Sequence, residues 1–352
     1  MAARLRAYIG TYSDVQREGL FVFDLDGDSD PQLRSAVAGL ANPSFLALHP
    51  SRRFLYAVHE TDDGAVSAFA LDVDTGTLRF LNRQSSVGCG PCHLTVDAAG
   101  RFVLVTNYAS GSVAVLPIRA DGALAPACDS VQHRGSSAHP QRQTGPHPHS
   151  VTLDPANRFA LIADLGLDHV MIYRFDAARG KLAAHTPSFV PLRAGAGPRH
   201  FAFHPNGRCA YVINELDNTI VVFDYDPGAG MLREKQLVDT LPAGYADENV
   251  CADIHVAPSG RFLYGSNRGH DSLVGFTIAD DGRLQDPWHV PTGGRWPRNF
   301  ALDPSSRHLW VANQHSDAIT RFQVDAARGQ LTPVGQLSVP QPACIVFAQV
   351  NA

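Results

Sequence analysis

One pattern recurs along the chain and limits what it can fold into. The copies are FLALHPSRRFLYAVHETDDGAVSAF, LTVDAAGRFVLVTNYASGSVAVL, VTLDPANRFALIADLGLDHVMIY, FAFHPNGRCAYVINELDNTIVVF, IHVAPSGRFLYGSNRGHDSLVGF and FALDPSSRHLWVANQHSDAITRF. Each reads as an apolar segment, a turn, a second apolar segment, another turn and a third segment. The Pro after the first segment (Pro50, Pro155, Pro205, Pro258 and Pro304, with Ala98 in its place once) recurs at spacings of 46 to 57 residues. A polar turn and a weaker β-prone run follow, as in DTGTLRF, DGALAP, ARGKLAAH, DGRLQD and ARGQLTPV. Apolar alternation and β-branched residues dominate and helical periodicity is absent, so the segments predict strands. Four strands in about 40 to 50 residues is the size of a propeller blade. A seventh blade is split: the C-terminal PACIVFAQV matches the first strand of a repeat, and the N-terminal RLRAYIGTYSDVQREGLFVFDLD supplies the others. Pairing the two ends in one sheet removes the open edges. The expected fold is an all-β, seven-bladed β-propeller of four-stranded antiparallel blades, one domain over residues 1–352.

Composition excludes several partners. The chain has 352 residues, 44% of them hydrophobic, and a net charge of -5, with no basic run that would mark a nucleic-acid face or an anionic membrane surface. No segment approaches 18 consecutive apolar residues, and the start, MAARLRAYIGTYS, lacks the apolar core of a signal peptide. Cys89, Cys92, Cys128, Cys209, Cys251 and Cys344 are dispersed through apolar segments, which suits buried thiols in a reducing cytoplasm. CGPC at 89–92 is a lone Cys-x-x-Cys without a second pair, and core thiols are the simpler reading.

A propeller arranges equivalent residues of its blades in a ring, so each column down the repeats is a ring in space. Nine residues after the repeated Pro stand His59, Asn107, Asp164, Asn214, Asn267 and Asn313. Their uniform chemistry predicts short polar side chains that satisfy backbone groups at strand ends, although Asn214 and Asn267 are also candidates for substrate contact. The next column is not uniform: Glu60, Tyr108, Leu165, Glu215, Arg268, Gln314. Two columns at the start of the innermost strands behave likewise: Ser44, Cys92, His149, Arg199, Ala252, Arg298, Ala343, then Phe45, His93, Ser150, His200, Asp253, Asn299, Cys344. Strand direction puts all three at one mouth of the central channel. Repetition of the fold has no use for Arg in one blade and Glu in the next. His149, Arg199, Glu215, Arg268 and Arg298 are therefore predicted to share a site, with Glu60, His93, His200 and Asp253 near it. Several Arg facing one pocket predict an anionic ligand held by guanidinium forks, and the His and Glu offer general bases. The longest insertion, ACDSVQHRGSSAHPQRQTGPHPHSV, is a candidate lid or wall over this mouth. His147 and His149 share one face of an extended chain, but the carboxylate or thiolate spacing of a metal site is missing.

The motifs PCHLTVD, RFVLVTNYASGSV, RQTGPHPHSV, AGPRHFAFHPNGRCAYVINEL, LYGSNRGHDS and PRNFALDPS together resemble the lactonase family of seven-bladed propellers, over essentially the whole chain. Its best-known bacterial members are 6-phosphogluconolactonases, and a fungal carboxy-cis,cis-muconate cyclase belongs to it. The resemblance implies a site of one His, two Arg and one Glu, which falls on His149, Arg199, Glu215 and Arg268. It implies hydrolysis of 6-phospho-D-glucono-1,5-lactone, an anionic sugar lactone, without a metal or organic cofactor; no G-x-S-x-G nucleophile turn is present. Two alternatives remain at this point: a lactonase for an unphosphorylated sugar-acid lactone or a muconate-type cyclase, and a non-catalytic binding module of the kind the YVTN-like repeats also suggest.

Overall fold

The computed structural model describes residues 4–25, 29–72 and 74–350. The three residues before Arg4, and Asp26 at the end of the expected N-terminal strands, lie outside the described residues. Seven four-stranded antiparallel sheets surround one axis. The innermost strands are Leu46–Leu48, Pro91–Val96, Pro148–Leu153, Pro198–Phe203, Val250–Val256, Pro297–Leu302 and Pro342–Val350. They head blades 1 to 7 in that order, and successive ones touch around the channel. Blade 7 is closed as the repeats predict, with Pro342–Val350 pairing against Arg4–Thr11, followed by Glu18–Leu25 and Gln32–Ala38. Among the described residues no helix is long and apolar enough to cross a membrane.

Alternation along each strand builds the core. In Phe159–Asp164 of blade 3, Phe159 and Leu161 pack toward blade 4, while Ala160 and Ile162 pack toward blade 2. Every second residue thus serves one neighbouring sheet and the rest serve the other, so middle strands are buried on both faces. The result is seven apolar layers, one between each pair of adjacent blades, including the layer that joins blade 7 to blade 1. Tyrosines that reach across these layers spend their hydroxyls on glycine carbonyls of the next blade: Tyr56 on Gly122, Tyr211 on Gly282 and Tyr264 on Gly329 at 2.7 to 3.1 Å.

Blade 2 departs from the pattern. DGALAP is a turn closed by a single bridge between Ile118 and Leu124, and the outer strand comes later, at Asp129–Gln132. Pro117 and Pro126 have no N–H to give a ladder there. The insertion therefore supplies the outer strand before it crosses toward the channel mouth.

Candidate active site

Irregular pairing at the start of the innermost strands shapes the mouth. In blade 4, Pro198 pairs with Asn214 and His200 with Ile213, so Arg199 is skipped. The same bulge leaves out Cys92, His149 and Arg298 in blades 2, 3 and 6. A bulge bends the strand and re-aims the extra side chain. Residues adjacent in sequence, which a regular strand would send to opposite faces, both turn to the channel. The bulged residue serves the mouth, and the next one lies below it.

The mouth holds a pocket of about 390 Å³ lined by Glu60, Cys92, Tyr108, Arg142, His149, Glu215, Val250, Arg268, Trp296, Arg298 and Gln314. Glu215 sits in its wall at the end of Cys209–Asn214, almost fully buried. Its Oε2 lies 2.9 Å from Arg268 Nη2 and 3.0 Å from Arg199 Nε. Its Oε1 accepts from Arg142 Nη2 at 2.5 Å. Burial alone would raise the carboxyl; Arg268, Arg199 and Arg142 outweigh it and bring Glu215 down to about 2. Arg199 and Arg268 are further fixed by donating to the carbonyls of Ala252 and Cys251. Burial lowers both guanidinium groups, Arg268 to about 9, which keeps Arg268 charged at neutral pH. Arg268 also lies 5.2 Å from the centre of the Trp296 ring.

Arg298 is different. Its guanidinium rests 4.9 Å from the Tyr12 ring centre and makes no hydrogen bond to an acceptor among the described residues. The Tyr12 hydroxyl donates to Glu60 Oε2 at 2.7 Å, and Ser44 Oγ donates to the same oxygen. Three guanidinium groups of the lining (Arg142, Arg268, Arg298), with Arg199 buried behind Glu215, thus face two carboxylates (Glu60, Glu215), so positive charge is in excess at a pocket open to solvent.

His149 is held neutral. Burial, then Arg199, His200, Arg298 and Arg268, push it well below the usual histidine value. Cys92 Sγ is 3.8 Å from Nδ1, and Nε2 has no hydrogen-bonding partner among the described residues. Burial also pushes the Cys92 thiol up to about 12, so it is no ready nucleophile. Below the pocket lies a second polar layer. His200 Nδ1 donates to Asp253 Oδ1 at 2.7 Å, while its Nε2 lies 3.2 Å from Arg199 Nη1, a donor. Asp253 Oδ2 also meets His255 Nε2 at 3.0 Å and accepts from Asn299 Nδ2 at 2.6 Å. His93 and His149 each stand edge-on to His200, with ring centres 5.4 Å apart.

Of the residues singled out in the sequence, His149, Glu215, Arg268, Arg298 and Glu60 line the pocket, while Arg199 is buried behind Glu215, outside the lining. His93, His200 and Asp253 lie one layer deeper, with His200 against Arg199 and Asp253. Asn214 and Asn267 are fully buried and turn away: Asn214 Nδ2 donates to Thr219 Oγ1, and Asn267 Nδ2 to the Thr240 carbonyl and Ser272 Oγ. Their column ties strand ends together. His147 stacks on Tyr108, with Nδ1 2.8 Å from the Tyr108 carbonyl oxygen. Among the described residues no group of three or more His, Cys, Asp or Glu is gathered to hold a metal ion.

Four residues at the mouth carried no flag in the sequence: the apolar Val250, and Tyr12, Trp296 and Arg142. Tyr12 is the blade 7 member of the Glu60–Gln314 column, hidden because that blade lacks the marker Pro. Trp296 precedes Pro297 at a position where Gly90 and Gly197 stand in blades 2 and 4, and it keeps their left-handed backbone, with φ of 64°. A bulky residue there is strained, and that strain is the signal. Arg142 belongs to the insertion and has no counterpart in any repeat.

A propeller whose axial mouth is polar, cationic and different in every blade defines a class, and the chain belongs to it: the family described as "Lactonase, 7-bladed beta-propeller" matches residues 6–347. Among its relatives, a 6-phosphogluconolactonase of Bacillus subtilis (strain 168) is 38% identical over 348 residues, 97% of each chain. One of Formosa agariphila is 34% identical over 339 residues, 94% of this chain and 95% of the relative. The structure of the Pseudomonas aeruginosa periplasmic gluconolactonase matches with a TM-score of 0.92 at 35% identity, and 99% of each chain is covered.

Proposed function

We propose that this chain is a 6-phosphogluconolactonase, which hydrolyses 6-phospho-D-glucono-1,5-lactone to 6-phosphogluconate at the axial pocket. The observation that carries the reading is the excess of positive charge beside a neutral histidine. A phosphate monoester carries close to two negative charges at neutral pH, so the substrate offsets that excess. The names of the relatives agree in reaction and differ in whether the lactone is phosphorylated; the unpaired Arg298 favours the phosphorylated one.

His149 acts as the general base. Glu215, at about 2 and bound by three guanidinium groups, is too weak a base and instead holds Arg199, Arg268 and Arg142 in place. A water molecule loses a proton to His149 as its oxygen bonds to C1 of the lactone. Arg199 and Arg268, already fixed by Glu215 and backbone carbonyls, face the negative charge that develops on the carbonyl oxygen. The C1–O5 bond then breaks, and the imidazolium returns its proton to O5. The new carboxyl group loses its proton to solvent. A positioned base contributes roughly 10²–10⁴ in rate. Because the ester is activated by its ring, no covalent intermediate is needed. Arg298 presents its five free N–H groups to the anionic end of the substrate. The six unpaired cysteines, four of them buried, suit the cytoplasm as the compartment.

The test is lactone hydrolysis by the purified protein, with 6-phosphogluconate read by a coupled dehydrogenase and the spontaneous rate subtracted, beside Arg199→Ala and Glu215→Ala. The reading expects activity that both variants lose. Activity that survives both would discard the site, and none above background would discard the reaction.

A further inference from the structure

We propose that Arg142, carried to the mouth by the insertion after blade 2, reads the substrate's phosphate and selects phosphorylated over unphosphorylated lactones. The proposal rests on the lactonase reading above and assigns its specificity to one residue outside the repeats.

Arg142 is the most exposed of the pocket's paired arginines: its side chain is 37% exposed, against 2% for Arg199 and 5% for Arg268. Both its hydrogen bonds, to Glu215 Oε1 and the Tyr108 hydroxyl, use Nη2. Its Nη1 and Nε have no hydrogen-bonding acceptor among the described residues. Their N–H groups diverge around the guanidinium, so each is free to donate a separate charge-assisted bond to an anionic oxygen at the rim. Arg268 likewise spends only Nη2, on Glu215 and the Cys251 carbonyl, but it and Arg199 are almost fully buried, so Arg142 is the paired arginine whose free donors meet solvent. A strongly hydrated dianion is also easier to bind at a wet rim than on a dry floor. The deeper cations are therefore left for the carbonyl, and Arg142 with Arg298 for the phosphate.

The loop that carries Arg142 is built to hold it still. Gln143 is fully buried; its Nε2 donates to the Leu165 carbonyl at 2.8 Å and to Asp168 Oδ1 at 2.7 Å, and its Oε1 accepts from the His139 N–H at 2.8 Å. Asp168 accepts two further bonds from the segment before Arg199, from the Gly195 and Gly197 N–H groups at 2.7 and 2.6 Å, and one from Ser137 Oγ at 2.6 Å. One buried carboxylate thus joins the insertion to the start of the strand that bears Arg199. Arg142 keeps a fixed position relative to the floor of the site, and Gln143 is its positioning residue.

The experiment compares kcat and KM of wild type, Arg142→Ala, Arg142→Lys and Gln143→Ala on 6-phosphoglucono-1,5-lactone and on glucono-1,5-lactone, with inorganic phosphate as a competing anion. Loss of a charge-assisted bond predicts a fall of about 10- to 100-fold in kcat/KM for the phosphorylated lactone in Arg142→Ala, mostly through KM. The loss on glucono-1,5-lactone should be several-fold smaller, and phosphate should inhibit the variant more weakly than wild type. Arg142→Lys should recover part of the KM, and Gln143→Ala should shift selectivity in the same direction, less strongly. Equal losses on both lactones, or equal inhibition by phosphate of wild type and Arg142→Ala, would overturn the proposal. A wild type with no preference for the phosphorylated lactone would show, before any variant is measured, that the substrate reading beneath it is wrong.

Discussion

Replacing Glu215 by Gln keeps the shape of the side chain and removes the charge that three guanidinium groups share. Glu215 stands at about 2 in the folded protein against an ordinary 4.5. That difference corresponds to about 3 kcal/mol of stability at neutral pH, at about 1.4 kcal/mol per pH unit. Removing one partner of a buried ion pair costs about 3–5 kcal/mol by mutational experience, which agrees. With an unfolding entropy of about 2.1 cal/mol/K per residue, a chain of this length should melt about 4–7 °C lower at pH 7. The sign with pH follows from the depressed folded value. The contribution is present above about pH 4.5 and is lost as pH falls toward 2, so by pH 3 the gap between variant and wild type should shrink by about half. Calorimetry or a fluorescence melt at the two pH values reads it. Millimolar inorganic phosphate should also raise the melting temperature of the variant more than that of wild type, because the anion replaces the missing carboxylate. A variant that melts with wild type at pH 7, or a gap that does not narrow in acid, would refute the claim that Glu215 anchors the cations.

His149→Gln should lower kcat by roughly 10²–10⁴ with little change in KM or in melting temperature, as steady-state kinetics and a melt can check. Because burial and the neighbouring cations push His149 well below the usual histidine value, kcat/KM for glucono-1,5-lactone should show no acid limb at the ordinary histidine value of 6.5, while the phosphorylated lactone should show the titration of its own phosphate at about pH 6. A limb near 6.5 on both substrates would speak against a depressed His149. Gly166→Ala would place a Cβ 1.9 Å from the Gly145 carbonyl oxygen and 2.8 Å from the His147 N–H nitrogen. Backbone atoms cannot yield cheaply, so the insertion should shift, with a cost of about 1–3 kcal/mol in stability and a raised KM for the phosphorylated lactone.

The repeats carried nearly all of the fold, since each blade states its strands and turns again and the split seventh blade leaves its two halves at the chain ends. They failed at DGALAP, where prolines on either side displace the outer strand to Asp129–Gln132. The site was legible through the columns that vary, because residues the fold does not need stand out against those it does. Depth was not legible. A regular strand would have sent Arg199 and His200 to opposite faces, and only the bulge explains why one reaches Glu215 in the pocket wall and the other lies below it on Asp253. The same device separates Cys92 from His93 in blade 2 and Arg298 from Asn299 in blade 6. Arg142 could not be found in this way, because a column has no place for a residue that only one blade possesses. Trp296 could have been, since a bulky ring where two other blades carry glycine breaks the local rule.

The most direct test of the account is a crystal structure with 6-phosphogluconate bound. The account predicts the product in the axial pocket, with its carboxylate beside His149, Arg199 and Arg268 and its phosphate on Arg142 and Arg298. Product bound away from the channel mouth, or seated there with its phosphate on Arg199 and its carboxylate at the rim, would contradict it.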